Sequence, residues 1–407
     1  MQRSLVFSLI TLYVLVLWSE QTQRPQFTNT YNPRVFSHTL KKEESNLFSI
    51  MIGLASDNYR EYFEIDGKLC AASRYLSLLY AKKGEVPKRV ETTALRPLLW
   101  SYGVYDFQYL PTAFVYKSED SLKESIKTYI HLSSKRGLFM CGVGIADFKD
   151  ERRIATIICS KRIVYATDIP KIMTEGSYLN LSFGIRSGYK EPIIYYSPPS
   201  GGVYKARPAV NEKGEFYDSY KLDGGLGKYL VQIIAKGPTG AEPIFLIPIY
   251  VNMDISDIKK ELMTYVNLED HTKTVSEEEA KEMLYKAINF ERKKLNIAPV
   301  KLNTQLSQIA FEKSKMMAEK QLFGHEVDSK KTEEILRSKN IRFSKMAENI
   351  GLNSSPRMAH FLFMSSPAHR ASILDPAYSE VGIGIYKVGD EEPQWFITEI
   401  FIVPMEF

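Results

Sequence analysis

The sequence predicts a multidomain α+β protein, and three features carry that prediction. Helical apolar stripes lead into paired strand-like runs near the front of the chain, and the same succession recurs at its end. Between them lies a stretch of short β-rich runs broken by Gly/Pro turns. The chain has 407 residues, room for about two to four domains. Hydrophobic residues make up 44% and charged residues 25%, a globular composition that excludes a mostly disordered or collagen-like chain. Lys and Arg number 53 against 48 Asp and Glu, a net charge of +5; so small and dispersed a surplus argues against a nucleic-acid partner. Three cysteines do not make a disulfide framework, so stability must come from buried apolar cores.

Residues 1–23 read as an export signal peptide. Arg3 supplies the positive start, and residues 5–18 form a charge-free, mostly apolar run that Glu20 and Gln21 end. That run is shorter than the roughly 20 residues a spanning helix needs; an uncleaved N-terminal anchor is the alternative. No cysteine follows it, so no lipobox is present, and no later stretch is long enough to span a membrane. The expected location is secreted or cell envelope.

Residues 43–165 read as an α+β domain. Leu69, Ala72, Leu76 and Leu79 fall at helical spacing before Gly84, a second helical pattern covers 121–132, and strand-like runs at 139–146 and 154–165 flank a charged turn. Cys141 and Cys159 lie on those two runs; a bridge between them and buried free thiols are both open, with Cys70 the odd one out. Residues 166–253 read as an all-β sandwich with no catalytic constellation, serving as a spacer or a binding module. A charged connector (254–273) leads to residues 275–407. There Ser276 and Glu279 have capping-box spacing, and Ala280, Met283, Leu284, Ala287 and Ile288 make a helical stripe. Asn303 heads a helix carrying Leu306, Ile309, Ala310 and Met317; Ser355-Pro356 opens another; and 381–388 with 394–403 read as a hairpin.

Candidate chemistry is confined to this last region. His325 follows Gly324 at a helix end, and His369 follows Pro367-Ala368 just past another helix; histidines on loops held by rigid elements are good ligand candidates. Glu348 lies among apolar residues, where a carboxylate is costly unless a cation or several donors meet it. Two imidazoles and a carboxylate suit a divalent metal such as zinc with one position left open, although no HExxH motif is present. The structural alternatives are a helix-end His325, a backbone-bonded His369 and a Glu348 paired with Arg292 or Arg370. His360, inside its helix, reads as structural.

Residues 275–407 resemble the CAP superfamily (cysteine-rich secretory proteins, antigen 5, pathogenesis-related proteins; the SCP domain) in a bacterial, cysteine-poor form. The resemblance rests on Asn289-Phe290-Glu291-Arg292, Phe323-Gly324-His325, Ala347-Glu348-Asn349-Ile350, Ser365-Ser366-Pro367-Ala368-His369-Arg370, Val381-Gly382-Ile383-Gly384 and Trp395 to Phe401, in that order. It implies an α-β-α sandwich with a surface cavity lined by two His and two acids that can bind a divalent metal, most often zinc. His325, His369 and Glu348 match three of those positions, and Glu348 is also the candidate catalytic carboxylate. The fourth acid is replaced by Ser366, and Glu399, on the last strand, is a candidate substitute. Two readings follow: an extracellular binding or interaction protein whose cavity takes a divalent metal ion, for a protein, lipid or cell-wall ligand, or a metal-dependent hydrolase acting on extracellular protein or cell-wall material. The front region looks like a decayed copy. Cys141-Gly142-Val143-Gly144-Ile145 parallels Val381-Gly382-Ile383-Gly384-Ile385, and the helix at 69–79 would correspond to 280–295. No histidine stands there at the metal positions, so the expectation is a degenerate CAP-like domain without metal.

Overall fold

Both ends of the chain build the same four-stranded sheet from different sequences. In the computed structural model the front sheet has the order Glu64–Ile65, Met140–Asp147, Arg153–Ser160, Tyr109–Tyr116, and the last has Lys301–Leu302, Glu380–Val388, Gln394–Pro404, Phe343–Asn353. In each, the short first strand runs parallel to its neighbour and the others pair antiparallel. The structure describes residues 39–405 apart from 88–89, 91, 167, 239, 259, 261–274, 328–329 and 391–392. The predicted export signal and most of the predicted connector lie outside the described residues. Among the described residues no helix is long and apolar enough to cross a membrane. The chain divides into two compact units, Met1–Lys171 with Phe183–Arg186 and Ile172–Ser182 with Ser187–Phe407.

The shared design begins with a helix that follows the short strand at once. Asp66 caps Gly67–Lys83 by accepting the Leu69 N–H at 2.9 Å, and Asn303 caps Thr304–Glu319 by accepting the Leu306 N–H at 3.0 Å. Each helix lies directly on a Gly-Xaa-Gly strand. A Cβ at Gly142 would stand 2.0 Å from the Leu69 carbonyl carbon, and one at Gly382 2.3 Å from that of Leu306. Further along, a Cβ at Gly144 would meet the Arg74 nitrogen at 2.2 Å, and one at Gly384 the Phe311 nitrogen at 1.9 Å. Backbone touches backbone, so only hydrogen fits. Ser77 and Ser314 seal the approach, donating to the Gly144 and Gly384 carbonyls and bonding to Thr156 and Thr398 across the sheet.

A different pair of packed helices covers the opposite face of each sheet. Glu277–Lys294 packs against Pro356–Ser365 and Glu380–Val388, and Lys42–Leu54 packs against Glu119–Arg136 and Met140–Asp147. The counterpart of 280–295 is therefore Lys42–Leu54, not the helix at 69–79, which corresponds to Thr304–Glu319. Helical spacing alone does not show which face of a sheet a helix covers. A strand absent from the sequence reading, Tyr109–Tyr116, completes the front sheet. Cys141 and Cys159, directly opposed in register, form a disulfide with Cα atoms 4.1 Å apart, and Cys70 is a buried free thiol. The last sheet presents Ile383, Trp395, Ile397 and Phe401 to Leu284 and Ile288.

The middle of the chain forms two sheets, one of four strands and one of five. Tyr196 of the five-stranded sheet stacks on Tyr220 of the other at 4.2 Å, and its hydroxyl donates to Asp218 at 2.6 Å. This is face-to-face sandwich packing.

Gly384→Ala drives a methyl into the helix backbone, and a loss of more than about 3 kcal/mol is expected in chemical denaturation. Gly53→Ala, on a helix with nothing within 4 Å of the added Cβ, gains up to about 1 kcal/mol. Similar effects from the two substitutions would refute the close-packing account.

Candidate functional site

Glu348 lies on Phe343–Asn353 with its side chain 6% exposed, and it faces Lys313 of Thr304–Glu319, itself 4% exposed. The Lys313 ammonium donates to both carboxylate oxygens at 2.7 Å, to the His325 carbonyl at 2.7 Å and to the Thr332 hydroxyl at 2.8 Å. Thr332 in turn donates to Glu348 Oε2, and His325 Nδ1 donates to Oε1 at 2.8 Å. Burial opposes ionisation of Glu348, but the hydrogen bond from His325, the nearby Lys313 charge and the Lys313 and Thr332 donors outweigh it, holding the carboxyl below its usual range. Burial likewise lowers Lys313, with Glu348 opposing. The charge and hydrogen-bonding capacity of the carboxylate are met from within the chain.

His325 is on a loop as predicted. His369 is not: it lies in the first turn of Pro367–Leu374, because Ser366 ends one helix and Pro367 starts the next. The His369 ring is 5.1 Å from that of Phe363, and its Nδ1 is enclosed without a hydrogen-bond partner. Burial, with a smaller push from the His325 charge, lowers the His369 imidazole to about 4. The structure thus joins His325 to Glu348 directly and brings His369 within reach of the electrostatic field of His325.

Glu399 is fully buried and opposes Asn349 across the sheet. The Asn349 amide donates to Glu399 Oε2 at 2.9 Å and to the His369 carbonyl at 3.2 Å, so Glu399 is tied to the His369 helix through Asn349. Burial raises the Glu399 carboxyl to about 7 against the Asn349 hydrogen bond; below that pH it carries no charge. Ser366 is occupied elsewhere, donating to Gln232 Oε1 at 3.1 Å. Arg292 is not the partner of Glu348: fully buried, it donates to the carbonyls of Ala298, Ile373, Asp375 and Tyr378. The Nδ1 of His360 is enclosed and unpartnered, and burial lowers that imidazole to about 4.

Among the described residues no three His, Cys, Asp or Glu side chains gather as a metal-ligand set. As the side chains stand, the group does not fit a divalent ion, because Glu348 presents its oxygens to an ammonium. Sequence reasoning missed Lys313, Thr332, Asn349 and Gln232. Lys313 had a signal: it falls on the apolar stripe of Leu306, Ile309, Ala310 and Met317, where a lysine needs a buried partner. Gln232 had none, being remote in sequence.

Residues 285–401 match the profile of the cysteine-rich secretory protein family, CAP. An uncharacterized protein of Bacillus subtilis (strain 168), YkwD, is 30% identical over 111 residues, which are 27% of this chain and 43% of that protein's length. An extracellular protein containing a SCP domain from Bacillus anthracis str. Ames is similar at 17% identity over 43% of this chain and 64% of its own, with a TM-score of 0.28. A cysteine-rich secretory protein of Staphylococcus aureus subsp. aureus Mu50 is similar at 14% identity over 64% and 85%, with a TM-score of 0.26.

Glu399 keeps its proton in the folded state up to about 7 and loses it near 4.5 when unfolded. Its burial therefore lowers stability as pH rises through that window, with the full penalty above it. Glu399→Gln, which can still accept from Asn349, is expected to stabilise the protein by about 1–3 kcal/mol near about pH 8 and to change little near about pH 4. Denaturant titrations at the two pH values check this, and an equal effect at both would refute it.

Proposed function

We propose, taking the CAP domain at residues 285–401 as the premise, that this is an exported binding or interaction protein. Its recognition site is the cavity around His325, His369 and Glu348, and its partner is an extracellular protein, a lipid or a cell-wall component. The supporting observation is the Lys313 ammonium on both oxygens of Glu348. It supplies within the chain the positive charge that a metal would bring, and it leaves Glu348 no free lone pair directed at a water for general-base work. Export is supported by the apolar run after Arg3 and by the family, whose name describes secretory proteins.

The alternative is a zinc-dependent hydrolase acting on extracellular protein or cell-wall material, with zinc on His325, His369 and Glu348. One observation favours it, the unpartnered Nδ1 of His369 near His325. It requires the ammonium to leave first.

The front unit fits a degenerate CAP-like copy. Register places Leu76, Pro111, Thr112 and Ile157 where the last domain has Lys313, Glu348, Asn349 and Glu399. Without that polar group, its role in this reading is structural.

Metal analysis of the full chain after dialysis against zinc separates the readings. Wild type is expected to keep no stoichiometric zinc, whereas Lys313→Met, with the carboxylate freed, gains zinc that His325→Ala/His369→Ala removes. One equivalent on wild type, lost in the double variant and accompanied by chelator-sensitive turnover, would establish the hydrolase instead.

A further inference from the structure

We infer that the β-sandwich is a fixed wall of the CAP domain, and that Gln232 is the positioning residue holding the helix that carries His369. Strand Gly227–Gly237 lies inside the five-stranded sheet, between Lys190–Ser197 and Gly240–Val251. Its residues Val231 and Ile233 oppose Tyr196 and Ile194, and Tyr196 stacks on the other sheet, so that face looks into the sandwich. Leu230, Gln232 and their partners Ser197, Tyr195, Leu246 and Pro248 point the other way. The outer face of an antiparallel sandwich sheet is ordinarily polar and wet. Here Tyr195 is half-buried and the other five are buried, and helix Pro367–Leu374 packs against both Gly227–Gly237 and Lys190–Ser197. A sandwich serving as a free spacer would not bury its outer face.

At the centre of this contact Gln232, fully buried, accepts two hydrogen bonds on Oε1, from the Ser366 hydroxyl at 3.1 Å and from the Ala368 N–H at 2.9 Å. The Ala368 N–H belongs to the first turn of the helix, where backbone donors have no acceptor within the helix. Ser366 makes no side-chain cap of its own. A side chain from the sandwich therefore caps the helix, one residue before His369. A second close contact lies nearby: a Cβ on Gly201 would stand 2.5 Å from the Leu295 side chain at the end of Glu277–Lys294.

This assigns a use to the position where the resemblance expects an acid. Ser366, 3% exposed, holds the sandwich rather than a ligand. His325, by contrast, is 51% exposed. The inference does not depend on what the cavity binds.

The test uses the full chain. Gln232→Met keeps length and removes the acceptor; Gln232→Glu keeps an acceptor. In Gln232→Met, amide exchange across 366–374 is expected to quicken by about tenfold, the loss of one net hydrogen bond, and the ring resonances of His369 to shift in histidine-labelled NMR. Gln232→Glu should restore both signals. Unchanged exchange and unchanged His369 resonances in folded Gln232→Met would overturn the positioning role. Wild type supplies a check that needs no variant: 227–237 and 367–374 should open with one common denaturant dependence. Separate openings would overturn the fixed wall.

Discussion

A carboxylate placed inside a protein must be neutralised where it stands, and the last domain is organised around that constraint at Glu348. Removing an ion from water costs several kcal/mol even after relaxation, and Glu348 recovers it from Lys313, Thr332 and His325 together. Lys313 reaches the carboxylate because its helix lies close on the sheet, and the helix lies close because Gly382 and Gly384 carry no side chain. A glycine pattern on one strand thus sets the chemistry available on another. The same pairing commits both carboxylate oxygens of Glu348 to donors within the chain.

The two copies of the design show which parts are architecture and which are site. The capped helix, the Gly-Xaa-Gly strand and the Ser–Thr seal occur in both. The buried polar group occurs in one; its places in the other hold Leu76, Pro111, Thr112 and Ile157, which need no partner or only one. Where the last domain sets Val381 opposite Phe401, the front unit has Cys141 and Cys159 in a disulfide. A covalent bridge there constrains the unfolded chain where the other copy relies on apolar packing.

Burial on both faces changes what the middle of the chain can be. Its inner face is filled by tyrosine and aliphatic packing between sheets, and its outer face by the helix that carries His369. Gln232 serves as a cap because the apolar surroundings exclude water from the Ala368 N–H, leaving a side-chain oxygen as its acceptor.

Much of this protein is written locally. The capping residues Asn303 and Ser276, the apolar stripes, the Gly-Xaa-Gly strands and the Pro-led helices follow from short-range rules, and with them the α+β class and the CAP resemblance. His325 and Glu348 were legible as members of one set, as metal ligands with His369, but not as a donor and its acceptor. Lys313 was half legible, as a charge on a buried stripe. What no local rule specifies is which distant groups meet. That Glu348 chose Lys313 over Arg292, that Ser366 faces Gln232 from another domain, and that Lys42–Leu54 covers the opposite sheet face from Gly67–Lys83 were decided when the sheets closed. The physical reason is that periodicity determines which face of an element is buried, whereas the partner of a buried polar atom depends on elements far away in sequence.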